Sequence, residues 1–115
     1  MLPQEIEVWY VLPAIRKELV IELVKNQQTS QKEAAGLLGI TAAAVSQYIS
    51  KKRAELNLKI GEEIRQSALR IRKGESPAAV EMMRLSRLPE IKKMVCQMHM
   101  QKDPTISKTC DICLK

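Results

Sequence analysis

Phenylalanine is absent and aromatic residues make up only 3% of the chain, so aliphatic side chains must fill whatever core it builds. With 45% hydrophobic residues over 115 positions there is enough apolar surface for one such core, and a helical bundle suits that inventory. No uninterrupted apolar run approaches the roughly 18 residues that a membrane span requires. The acidic, proline-containing start MLPQEIE also lacks the basic-then-apolar order of a secretory signal. Together these absences predict a cytoplasmic protein with no membrane partner. In that reducing compartment an odd count of three cysteines argues against a disulfide framework and leaves free thiols or metal ligation. No Ser-His-Asp order, phosphate-cradling glycine loop or paired carboxylate constellation is apparent, and the single histidine lies near cysteines. The expectation is a protein that is not an enzyme.

What the chain does have is positive charge. A formal net charge of +6 favours a polyanionic partner, although nucleic acid, an acidic protein and an anionic membrane surface all satisfy that condition. The pattern of apolar residues predicts an all-α bundle. EIEVWYVL fits two periods: Ile6, Val8, Tyr10 and Leu12 alternate as in a strand, whereas Leu2, Ile6 and Trp9 align as on a helix. Pro13 has no N–H and disfavours helical geometry at Leu12, so it is expected to open a helix at its first turn. That helix runs to about Lys25 on Ile15, Leu19 and Leu23, with NQQT as the turn. Ser30 followed by Glu33 forms a capping box that starts a second helix, which ends at Leu38-Gly39, and Thr41 caps a third running to about Ser50. Beyond Lys51-Lys52-Arg53, the spacing of Ile60, Ile64, Ala68 and Ile71 predicts a longer helix closed near Gly74. Helices through Val80, Met83 and Leu85, and through Ile91, Val95 and Met98, complete the pattern. The late methionines, from Met82 to Met100, suit adaptable packing or a dimer interface.

Two short helices abutting across Gly39 leave the second of them prominent, the arrangement by which a helix-turn-helix presents a helix to the DNA major groove. Ala35 is small where the helices would cross, Ile40 lies beneath the turn, and Val45, Tyr48 and Ile49 face inward. Ala42, Ala43, Ser46 and Gln47 fall on the outward side, short or hydrogen-bonding groups able to approach bases. Lys51, Lys52 and Arg53 follow directly, where phosphates would lie. The basic residues Arg65, Arg70, Arg72 and Lys73 are expected to form a solvated face.

Gln31, Ala35, Gly39 and Val45 resemble the Cro-repressor-like helix-turn-helix family in type and spacing. More narrowly, VLPAIRKEL followed by SQKEAAGLLGITAAAVSQYISKKR is similar to a group of small archaeal transcriptional regulators, some with cysteines near the C-terminus. The resemblance covers about Val11 to Arg53. It implies an archaeal, sequence-specific regulator that binds double-stranded DNA, with Gln31 near a phosphate and Thr41, Ala42, Ala43, Ser46 and Gln47 at or beside the bases. A homodimer on a palindromic operator is the expected assembly. Residues 1–55 form the helix-turn-helix region in this reading, 56–101 a helical dimerisation or support region, and 102–115 a tail. The competing readings are an adaptor that keeps the same shape but binds protein, and a sensor responsive to metal or an iron–sulfur cluster. Cys96-x2-His99 and Cys110-x2-Cys113 use every cysteine and the only histidine, and could close a tetrahedral zinc site or hold a cluster.

Overall fold

A computed structural model describes residues 2–50 and 58–102, and among them every regular element is helical. The N-terminal ambiguity resolves in favour of helix. α1 (Pro3–Ile6) passes through a π turn (Glu7–Val11) into α2 (Leu12–Ile21), and a second π turn (Glu22–Asn26) ends the stretch. Pro13 does lie in the first turn of α2, yet helix continues upstream of it. The π turn accounts for this. A proline ring collides with the carbonyl four residues back and donates no hydrogen bond; widening the preceding turn, so that the Leu12 N–H donates to the Glu7 carbonyl, relieves the collision. Ile6 is fully buried on this segment, but Leu2 and Trp9, aligned with it by sequence, are 62% and 64% exposed.

After Gln28, which takes a left-handed φ of 57°, Ser30 Oγ accepts from the Glu33 N–H at 3.1 Å and α3 (Gln31–Leu38) begins. It stops at Gly39, whose φ of 68° and ψ of 33° are left-handed, and the Ile40 N–H closes the end onto the Ala35 carbonyl at 3.0 Å. Thr41 Oγ1 then accepts from the Ala44 N–H at 3.0 Å to start α4 (Ala42–Ile49). A Cβ at Gly39 would meet no atom within 4 Å, so the glycine is required for its backbone and not for space. Gly39→Val should therefore cost about 1–3 kcal/mol of backbone strain. Thermal unfolding followed by circular dichroism would measure it, and a variant as stable as the parent would refute the requirement.

α5 (Gly61–Arg72), α6 (Ala78–Ser86) and α7 (Pro89–Lys102) complete the bundle. α2 is its hub, packing against α4, α5 and α6, while α1 lies on α7. Ile15, Leu19, Val20 and Leu23 are fully buried at the centre, and one continuous core extends from Ile6 to Val95. No helix among the described residues is long and apolar enough to cross a membrane.

Two expectations change. Val80 and Met83 on α6 are each 51% exposed; the helix is rotated so that Ala78, Glu81, Met82 and Leu85 face the core instead. Arg70 does not belong to a solvated face, because it turns toward the buried Glu81. Arg70 Nε donates to Glu81 Oε1 at 2.9 Å and its Nη2 lies 2.8 Å from the same oxygen. Arg84 approaches from the other side at 3.3 Å and also donates to the Ser67 hydroxyl. Burial opposes ionisation of Glu81, but hydrogen bonds from Arg70, Ser76 and Ser67, with the Arg70 charge, outweigh it and hold the carboxyl down to about 2. A helix face with glutamate at its centre thus becomes an inward face because Arg70 of α5 meets it there.

Candidate nucleic-acid interface

α4 divides cleanly into two sides. Ala44, Val45 and Tyr48 are buried, and these are the residues that seat the helix on α2 and α3. Thr41, Ala42, Ala43, Ser46 and Gln47 are exposed. Positions 42, 43, 46 and 47 recur at helical spacing, so they form one stripe, with no charged or bulky side chain to hold the helix away from a surface. The Ser50 hydroxyl donates to the Gln47 carbonyl at 3.1 Å and finishes the last turn.

α3 braces this helix. Ala34, Ala35 and Leu38 are buried, with Ala35 at 6% exposure, which meets the demand for a small side chain between adjoining helices. Gln31, Lys32 and Glu33 are exposed at its N-terminus. Lys51, Lys52 and Arg53 lie outside the described residues, so the structure describes Gln31 and the stripe on α4 but not those cations.

Of the four anticipated metal ligands, Cys110 and Cys113 also lie outside the described residues. Cys96 is buried at 5% exposure and His99 is half-buried, both on α7 and one helical turn apart. Among the described residues no three His, Cys, Asp or Glu side chains gather in a group that could hold a metal ion.

Beside the α3–α4 turn the structure contains a cleft of about 890 Å³ that sequence reasoning missed. Its walls come from the N-terminal helical stretch, the Gly39-Ile40 turn, Tyr48 of α4, and α6 and α7. No local pattern signals a cavity assembled from elements so far apart in the chain. Comparison with protein-family models, curated proteins and solved structures finds no match to this chain.

Proposed function

We propose that this chain is a sequence-specific DNA-binding transcriptional regulator, in which the α3–α4 pair is a helix-turn-helix of the Cro-repressor-like kind and α4 enters the major groove. The observation that carries the reading is the two-sidedness of α4: Val45 and Tyr48 anchor it in the core, while Ala42, Ala43, Ser46 and Gln47 stand exposed on one stripe. Alanine methyls suit thymine methyl groups, and the Gln47 amide has the donor and acceptor pair that an adenine edge accepts. Gln31 and the Lys51-Lys52-Arg53 run supply phosphate contacts in this reading, and two copies acting in the cytoplasm bind the halves of a palindrome.

Selection of bound duplexes from a random library by the full chain tests it. One operator should emerge, and affinity for it should fall steeply with salt as counterions are released. Gln47→Ala is expected to relax preference at one operator position, a loss of discrimination of about 1–3 kcal/mol. Lys52→Ala should instead weaken all duplexes alike and make the salt slope shallower. If both variants lowered affinity uniformly with no change in preferred sequence, α4 would not be the reading helix. An absence of salt-dependent duplex binding would favour the protein-adaptor reading.

A further inference from the structure

We propose that the cleft beside the α3–α4 turn is a binding site for an amphipathic organic anion, a molecule with an acidic head and an aliphatic body. At about 890 Å³ it has the size of a small-molecule site. Three basic residues line it from three separate elements: Arg16 on α2, Arg87 at the end of α6 and Lys92 on α7. Glu7 is the one carboxylate on its wall, so positive charge exceeds negative by two. Among the described residues none of these three cations has an ion-pair partner, in contrast to Arg70 and Arg84, which are committed to Glu81. Guanidinium side chains on the wall of a concavity offer forked donors suited to a carboxylate or phosphate head.

The remaining wall suits the body of such a molecule. Leu12, Ile40 and Met82 present aliphatic surface inside the cleft. Met83 and Arg87 also line a smaller crevice of about 540 Å³ bordered by Val80 and Leu88, which places the two exposed apolar side chains of α6 along the path of an aliphatic tail. Burying them under a ligand removes apolar surface that the chain otherwise leaves in water.

Gly39, Ile40 and Tyr48 belong to the same wall, so an occupant touches the turn and the buried side of α4 directly. The occupant would therefore bias the seat of α4, and this consequence rests on the DNA-binding reading, whereas binding of the anion does not. The experiment separates the two. Isothermal titration of the full chain with octyl phosphate and octanoate should give saturable binding, with octanol and inorganic phosphate each at least tenfold weaker. An Arg87→Gln, Lys92→Gln double variant, whose side chains lie outside the core, should lose at least tenfold while keeping the parent circular dichroism spectrum. Equal binding of octanol, or an unaffected double variant, would overturn the site. Comparable binding of inorganic phosphate would reduce it to a simple anion site and overturn the amphipathic assignment. Adding octyl phosphate should then shift duplex affinity at least fivefold in the parent and not in the variant. An unchanged duplex affinity with saturated anion would overturn the coupling to α4 alone, and an absence of duplex binding altogether would overturn the regulator reading while leaving the anion site in place.

Discussion

Glu81→Gln is expected to lower the stability of the chain at neutral pH by about 2–3 kcal/mol, a fall of roughly 8–12 °C in unfolding midpoint for a domain of this size. Glu81 is 3% exposed, and its carboxylate is the point at which α5 and α6 are tied together by Arg70, Arg84 and Ser67. Its carboxyl is held at about 2 against an ordinary value of 4.5, so ionised Glu81 stabilises the folded chain by about 3 kcal/mol. Because the folded value is the lower one, that contribution is complete above about pH 4.5 and disappears as the pH falls toward 2. The arginine side chains, 32% and 40% exposed, can turn toward water when the carboxylate is removed, which keeps the loss below that of a charge stranded in the interior. Urea unfolding of parent and variant at pH 7 and pH 3 measures the effect. The gap between them should narrow at pH 3. Glu18, whose carboxyl burial raises in spite of Lys17 beside it, has the opposite pH slope but cancels in the difference between the two proteins. A gap of the same size at both pH values would assign the loss to packing and not to charge.

Leu19→Ala should cost more, about 3–4 kcal/mol, since a fully buried leucine loses both its transfer energy and the packing around the cavity left behind. Its place on α2 is the reason for not choosing the low end of the usual range. α2 meets α4, α5 and α6 together, so no single neighbour can move in to fill the space without leaving another contact. Leu19→Met, which nearly conserves volume, should cost less than about 1.5 kcal/mol. The midpoint of urea unfolding should shift for the alanine variant with an unchanged dependence on urea. A loss below about 1 kcal/mol would mean that the centre of the bundle collapses freely, contrary to the hub position of this helix.

How much of this was legible beforehand follows the range of the interaction that decides each feature. Ser30, Gly39 and Thr41 act on backbone groups within a few residues of themselves, and each cap and turn occurs where the residue types require it. Ile60, Ile64, Ala68 and Ile71 likewise form the buried side of their segment because one period accounts for them all. α6 defeated the same reasoning because a glutamate counts as outward until its partner is known, and Arg70 stands 11 residues away on another helix. The opening segment carried two periods at once. Only its packing on α7 and the π turn ahead of Pro13 decide between them, and neither is a property of eight residues read alone. The exposed stripe of α4 was legible in full, whereas the cleft behind it depends on how distant helices meet.

The chain contains a single tryptophan, and that indole stands 64% exposed on the π turn Glu7–Val11. At that exposure its emission in the folded protein is expected to report aqueous surroundings already, so denaturant should shift the spectrum little and intrinsic fluorescence should be a poor record of unfolding. The same placement makes it a sensitive record of contact. A move to shorter wavelength as the protein is concentrated would mark the N-terminal face as the surface where two copies meet. An unchanged spectrum in a sample that light scattering identifies as dimeric would assign the contact to another face, and would leave this indole available as a label-free reporter for any partner that covers it.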